Sequence, residues 1–279
     1  MYRGRSARSS VAAIVFCSIS FLQTAPTADG RGLHVQDETA TAKPSGADLH
    51  PVLVELFTSE GCSSCPPVDH LIQELDTYQP IPGAQLIVMS EHVTYWDHDG
   101  WKDPNSSASL TERQSDYENV LGEKEVFTPQ VIVDGTHELR VNDPQGVKDV
   151  LQKAAATPKI PVRISEVIAD GGNPTLLRAH IETDANFDEH KAEVFVAVAL
   201  DHVESQVLHG ENGGKHLVHV AVVQELTKVG KLQKGKSFAE EVRLKLKPGT
   251  DLKNVRVIAF VQEPGPGKLL GAALRKQTS

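Results

Sequence analysis

Cysteine is rare in this sequence, with three among 279 residues. Cys62 and Cys65 form a C-x-x-C motif, and Cys17 lies far upstream in a segment whose removal we expect. A four-thiolate zinc site is therefore disfavoured, because the motif supplies only half of its ligands. In an oxidising compartment, Cys62 and Cys65 would have no other internal cysteine with which to exchange disulfides.

An excess of positive charge is also missing, since 28 basic residues stand against 37 acidic ones. This balance disfavours binding to nucleic acid or to anionic membranes. Long apolar runs are absent too: residues 11–22 are uncharged but too short to span a bilayer. They follow three arginines, which is typical of an export signal. We expect a signal peptide over 1–28, a flexible linker over 29–50, a periplasmic or secreted protein, and no integral membrane segment after cleavage.

The C-x-x-C motif lies between a predicted strand and a predicted helix. Residues 52–57 are mostly apolar, as in a strand buried on both faces, and Pro66 and Pro67 fit only a first helical turn. Thioredoxin-like proteins keep their redox pair in this arrangement. The helix dipole and unpaired N–H groups at the helix start would stabilise a thiolate, so Cys62 is the candidate nucleophile and Cys65 the resolving cysteine.

Two other interpretations of the cysteines remain open. An exported protein can use the pair as an inert disulfide in a non-catalytic scaffold, although so short a loop contributes little entropic stabilisation. Alternatively, Cys62, Cys65 and a histidine could hold copper or another soft metal, with His92 as the candidate third ligand.

The order of predicted elements over residues 51–157 is β-α-β-α-β-β-α, the thioredoxin arrangement. Asp143 is predicted to cap a last helix that runs from Pro144 to about Ala156. Thr128 and Pro129 directly precede a predicted strand, where thioredoxin-like proteins place a cis proline facing the redox pair. An ordinary trans proline that opens a strand is the alternative.

After residue 157 the apolar pattern changes to a period of two. Seven short alternating segments separated by turns predict an antiparallel β-sandwich. The predicted fold class is thus an α/β thioredoxin-like domain over 51–157, followed by an all-β antiparallel sandwich domain over 158–279. The second domain has no cysteine, and we expect it to bind a partner or to support the redox face.

Aromatic residues make up 5% of the chain, yet both tryptophans fall in one loop. Trp96 and Trp101, with Tyr95, could form an apolar groove beside Cys62 for an unfolded peptide or a small thiol. They could equally pack this insertion onto the domain. His92 ends the second predicted strand and could act as a base, or could be satisfied by local hydrogen bonds.

Glu55 interrupts the first predicted strand, seven residues before Cys62. Buried near the cysteines, it could accept the proton of Cys65 during exchange. A glutamate that points to the edge of the sheet is the alternative.

Several short segments resemble DUF1223, an uncharacterised family of secreted bacterial proteins. They are Glu55-Leu56-Phe57-Thr58-Ser59, Gly61-Cys62-Ser63-Ser64-Cys65-Pro66, His92-Val93, Tyr95-Trp96-Asp97, Gly100-Trp101-Lys102-Asp103-Pro104, Arg113-Gln114 with Tyr117, Thr128-Pro129-Gln130, Gly210-Glu211-Asn212 and Gly271-Ala272-Ala273. The resemblance implies a thioredoxin-like domain with an appended β domain. It implies no established substrate.

These observations predict an extracytoplasmic thiol–disulfide oxidoreductase. The Cys62 thiolate would attack a disulfide, a mixed disulfide would form, and Cys65 would resolve it. The expected partners are protein or small-molecule thiols and disulfides, and we predict neither a cofactor nor a resident metal. The direction of exchange (oxidant, reductant or isomerase) stays open.

Overall fold

A computed structural model describes residues 49–122, 125–170, 173–184 and 191–277. The predicted signal peptide and nearly all of the predicted linker lie outside these residues. No helix in the described ranges has both the length and the apolar character needed to cross a membrane.

Eleven strands and three α-helices are present in the described part of the chain. The strands are β1 (His50–Thr58), β2 (Ala84–His92), β3 (Gln130–Val133), β4 (His137–Glu138), β5 (Val162–Asp170), β6 (Asn173–Thr183), β7 (Lys191–Gln206), β8 (His216–Gln233), β9 (Phe238–Lys245), β10 (Val255–Gln262) and β11 (Leu269–Lys276). The helices are α1 (Pro66–Tyr78), α2 (Ala108–Leu121) and α3 (Pro144–Ala156), with 3₁₀ turns at Thr94–Trp96 and Leu252–Asn254.

The side chains of strand β1 alternate between two faces of the sheet, and each face packs against different helices. It pairs in parallel with β2 and antiparallel with β3. Val54 and Leu56 pack against α1 and α3, whereas Leu53 packs with Leu110 of α2 on the other face. Because successive side chains of a strand point to opposite faces, Glu55 faces α2 rather than α1.

The predicted fold class is wrong. The chain forms one mixed sheet of eight strands, in the order β11-β10-β7-β8-β2-β1-β3-β4, and a separate sheet of three, β5-β6-β9. Strands from both predicted domains share the large sheet, because β8 pairs in parallel with β2, with Ser90 opposite Val222. The structure is mostly β, so it is not a thioredoxin-like domain followed by a β-sandwich.

The physical reason is that an alternating pattern identifies strands but not their partners. Strands β7 and β8 are also longer than the alternation predicts, at 16 and 18 residues. At the register shifts between Val194 and Phe195 and between Val198 and Ala199, β8 carries an extra residue, Val229 and Gln224 respectively. Such bulges interrupt the alternation within β8, and the alternating segment of the sequence stops at Gln224 although the strand continues.

A buried ion pair joins β10 to α1. The guanidinium of Arg256 is 1% exposed and donates two hydrogen bonds to Asp76 of α1, at 2.9 and 2.8 Å. Its Nε donates to Asp201 of β7. An arginine late in the sequence therefore holds the helix that begins at the C-x-x-C motif.

Candidate functional site

Cys62 and Cys65 are joined by a disulfide, with their Cα atoms 5.5 Å apart. Cys65 is the N-cap of α1, and two prolines occupy the first helical positions, as predicted. Both cysteines are fully buried, whereas Ser63 and Ser64 between them are exposed. The pair therefore lies at a helix start but is shielded from solvent.

Ser64 contacts the first cysteine. Its Oγ lies 3.4 Å from Cys62 Sγ, within hydrogen-bond reach for sulfur. Pro66 and Pro67 have no N–H to donate, and the N–H groups of Val68 and Asp69 bond to the carbonyl of Cys65. When the disulfide is reduced, the Ser64 hydroxyl is thus in position to donate to a Cys62 thiolate.

The turn between β7 and β8, residues 210–214, binds the backbone of the C-x-x-C segment; we call it the cover loop. Asn212 Nδ2 donates to the carbonyls of Glu60 and Cys62, both at 2.9 Å. Glu211 Oε2 accepts a hydrogen bond from the N–H of Ser63 at 3.2 Å. Sequence reasoning did not place this loop at the cysteines, and the family resemblance was its only signal.

Trp96 lies between the C-x-x-C segment and Thr128. Its Nε1 donates to Thr128 Oγ1 at 2.6 Å. A Cβ on Gly61 would come within 2.8 Å of the Trp96 carbonyl oxygen, so only glycine fits there without a shift. The Thr128–Pro129 bond is cis, as predicted.

The other two aromatic residues of this loop are each tied by one polar atom. Trp101 Nε1 donates to Glu60 Oε2 at 3.0 Å, and the Tyr95 hydroxyl donates to Gln114 Oε1 at 3.1 Å. Trp101, Tyr95 and Trp96 are all half-buried. The rings therefore pack the insertion onto the fold and still present part of their surface to solvent.

His92 is fully buried and bound to a carboxylate. Its Nδ1 lies 2.7 Å from Asp103 Oδ2, which also accepts the N–H of Glu60 at 2.8 Å. Burial disfavours a charged imidazole, but the Asp103 carboxylate outweighs it and raises the pKa of His92. Burial likewise favours neutral Asp103, but His92 prevails and brings the pKa of Asp103 to about 2. His92 is therefore paired with Asp103 through Nδ1, whereas its Nε2 has no hydrogen-bond partner in the described part of the chain.

A second buried histidine lies beside the first. The rings of His92 and His219 meet edge to face, with centroids 4.8 Å apart. His219 Nδ1 is 3.6 Å from Asp69 Oδ1, which accepts a hydrogen bond from Thr58 Oγ1 at 2.9 Å. This cluster lies against the first turn of α1. Sequence reasoning missed it, although Asp69 follows Cys65 by one helical turn.

Glu55 is not brought to the cysteines. Its Oε1 accepts hydrogen bonds from Arg113 at 2.7 and 2.5 Å, and its Oε2 accepts one from the Tyr117 hydroxyl at 2.5 Å, all on the α2 face. Neighbouring Glu91 is buried without a hydrogen bond to either carboxyl oxygen. Burial, and then the charge of Glu55, raises the pKa of Glu91 well above its ordinary value.

The soft-metal set of the alternative interpretation (Cys62, Cys65 and His92) is not assembled. Within the described ranges, no three His, Cys, Asp or Glu side chains are grouped so that they could hold a metal ion. Both sulfurs are engaged in the disulfide, and His92 directs Nδ1 at Asp103.

Fold and site together define a β-rich protein with a mixed central sheet and a buried C-x-x-C disulfide at a helix start. The chain belongs to the DUF1223 family, described as a protein of unknown function, whose family model matches residues 53–262. No functionally curated protein matches it.

Among solved structures, a crystal structure of a protein from Agrobacterium tumefaciens is similar over 82% of this chain and 96% of that chain, with 26% identity and a TM-score of 0.61. A domain of the outer membrane lipoprotein Omp28 from Porphyromonas gingivalis is 14% identical over 43% of this chain and 88% of that chain. Its TM-score of 0.26 is too low to carry an argument.

Proposed function

We propose that this chain is an extracytoplasmic thiol–disulfide oxidoreductase that works through Cys62 and Cys65. The observation that carries the proposal is the disulfide at the start of α1, with the Ser64 hydroxyl against Cys62 Sγ. A helix start and a hydroxyl donor both stabilise a thiolate, which is the nucleophile in disulfide exchange. The proposed location rests on the signal-like residues 1–28.

The proposed reaction has two steps. A Cys62 thiolate attacks a client disulfide, one client sulfur leaves as a thiolate, and a mixed disulfide forms. The Cys65 thiolate then attacks Cys62, the Cys62–Cys65 bond closes, and the second client sulfur leaves as a thiolate. The client is thereby reduced and the pair oxidised; the reverse sequence oxidises a client dithiol. Protein or small-molecule thiols are the proposed partners.

The client surface is proposed to be the aromatic loop and the segment before Pro129. The carbonyl oxygen and Cβ of Trp96 lie against Gly61 and its ring Nε1 bonds to Thr128, so we expect a chain that reaches Cys62 to pass this residue. Phe127, next to Thr128, is 41% exposed and extends the apolar surface. Half-buried aromatic rings suit a client that offers apolar side chains and no fixed charge.

Redox titration of the full chain tests the proposal. Equilibration in glutathione buffers, read by alkylation and mass, should show one reversible two-electron couple with an unchanged far-ultraviolet spectrum. Reduction of an oxidised dithiol peptide should be catalytic, and Cys62→Ser and Cys65→Ser should each abolish turnover but retain the fold. Absence of turnover in both directions for the wild type would refute the function.

The full burial of both sulfurs favours a second candidate, a disulfide that only braces the fold. The same preparation separates the two. A structural disulfide would resist reduction until the chain unfolds, and its reduced form would show a lower thermal midpoint without turnover. A redox pair is reduced while the protein stays folded.

A further inference from the structure

The polar cluster under the first turn of α1, formed by Asp69, His92 and His219, contains buried polar atoms that have no hydrogen-bond partner among the described residues. Asp69, His92 and His219 are each at least 95% buried. In the described part of the chain, Asp69 Oδ2, His92 Nε2 and both His219 ring nitrogens have no hydrogen-bond partner. A buried polar atom without a partner costs about 1–3 kcal/mol, so apolar side chains would stabilise this position better.

Asp69 is placed to reach Cys65. The two residues are four apart, and the Asp69 N–H bonds to the Cys65 carbonyl at 3.0 Å, so their side chains share one face of the helix. Neighbours at this spacing have Cβ atoms about 5–6 Å apart. Oδ1 of Asp69 is held by Thr58, and Oδ2 is free to take a proton.

We propose that Asp69 exchanges a proton with the thiol of Cys65 and that His219 is the positioning residue of the Asp69 carboxylate. The inference rests on the proposed function. During resolution, the Cys65 thiol gives its proton to Asp69 Oδ2, and the thiolate attacks the Cys62 sulfur of the mixed disulfide. The Cys62–Cys65 bond forms, and the client sulfur leaves with the electron pair. In reverse, an incoming thiolate breaks the bond at Cys62, and Asp69 returns the proton to Cys65.

The charges around Asp69 suit this exchange. Thr58 of β1 fixes one oxygen, and His219 of β8 contacts the same oxygen from the sheet. His92 of β2 lies behind His219, and the raised pKa of His92 is consistent with its charged pairing with Asp103. Glu60 is the remaining acid near His92, and its Oε2 is bound by Trp101. His219 Nδ1, 3.6 Å from Asp69 Oδ1, lies where it can limit the movement of the Asp69 carboxylate.

The test uses the full chain with Cys17→Ser, so that Cys65 is the one free thiol after Cys62→Ser. Thiolate absorbance at 240 nm then reports the ionisation of Cys65 against pH. Asp69→Asn keeps an oxygen for Thr58 but cannot take the proton, and it should move this titration. With both motif cysteines present, Asp69→Asn should slow resolution of a mixed disulfide by about 10²-fold. Alkylation of reduced Cys62 should be unaffected.

His219→Gln should change the same two readouts in the same direction, by a smaller factor. Glu74→Gln and His70→Gln are matched controls, since both residues are exposed on α1 and contact each other. They should change neither readout. Because His219 lies on β8 and not on α1, the His219→Gln variant tests the proton transfer between Asp69 and Cys65 even if Asp69→Asn fails to fold.

A Cys65 titration and a resolution rate that are the same in both variants and in wild type would overturn the inference. The absence of any exchange by wild type would instead refute the proposed function. The titration in the Cys62→Ser protein needs no turnover, so it decides the Cys65–Asp69 link in either case.

Discussion

Ser64 sets how readily Cys62 ionises if its hydroxyl, 3.4 Å from the sulfur, donates to the thiolate. Ser64→Ala should then raise the thiol pKa of reduced Cys62. One hydrogen bond of about 1–1.5 kcal/mol corresponds to about one pKa unit. The measurement is the rate of alkylation of the reduced protein against pH.

Ser63→Ala is the matched control, because Ser63 bonds to Glu211 whereas the hydroxyl of Ser64 contacts Cys62 Sγ. Ser63→Ala should leave the pH profile of Cys62 alkylation unchanged. Equal shifts in both variants would mean that the peptide segment, and not the Ser64 hydroxyl, tunes the sulfur.

The buried carboxyl group of Glu91 leads to a prediction about how the free energy of unfolding depends on pH. Its ordinary pKa is 4.5, and burial raises the folded value well above this. Between these two values the folded chain binds the proton and the unfolded chain does not, so stability falls as pH rises. Glu91→Gln resembles the protonated acid. It should remove a slope of about 1.4 kcal/mol per pH unit from the free energy of unfolding in this window.

Urea unfolding at several pH values above 4.5 measures that slope. Glu112→Gln, at an exposed position next to Arg113, is the control and should retain the wild-type slope. A Glu91→Gln protein that loses stability with pH as wild type does would show that Glu91 is ionised in the fold.

At the scale of elements, Arg256 connects α1 to the late strands. Arg256→Met leaves Asp76 and Asp201 with only the half-exposed Lys276, 3.7 Å from each, as a shared cation, and breaking a buried pair costs about 3–5 kcal/mol. Burial favours neutral Asp76, but Arg256 outweighs it and lowers the pKa of Asp76. The contribution of this pair is therefore present above pH 3.8 and is lost as pH falls further.

Chemical denaturation at neutral pH and near pH 3 checks both parts of the expectation. The decrease in the free energy of unfolding caused by Arg256→Met should be smaller at the lower pH. Arg243→Met, exposed on β9, should cost little at either pH. A loss that does not change with pH would assign the effect of Arg256 to packing of its side chain.

The elements that the sequence predicted correctly are those marked by local signals such as a capping residue or a proline at a helix start. Asp143 caps α3 by accepting the N–H of Gly146, and the helix begins at Pro144, as the cap and the proline predict. Cys65 and two prolines likewise mark the start of α1. Contacts between distant segments had no such signal: neither the pairing of Ser90 with Val222 nor the bonds of Asn212 follow from residue spacing. The site was therefore predicted at its cysteines and missed at its cover loop and its buried acid.

At the scale of the whole molecule, the large sheet makes the cysteine site depend on both halves of the sequence. A chain ending at Ala156 lacks β8, which pairs with β2, and lacks the cover loop. We expect it to expose the edge of β2 and to aggregate. Solubility and size-exclusion profiles measure this, and the full chain prepared in parallel is the control. A soluble fragment with full redox activity would contradict the expectation.

The complete burial of Cys62 also has a kinetic consequence. A reagent cannot reach a sulfur with no accessible surface, so the observed rate of reduction is the intrinsic rate multiplied by the population in which the site has opened locally. Slow reaction with bulky thiols would then coexist with an intrinsically reactive bond. We expect the hydrogen bonds of the Asn212 amide to limit this opening and thereby to select reductants by size, separately from the reduction potential of the pair.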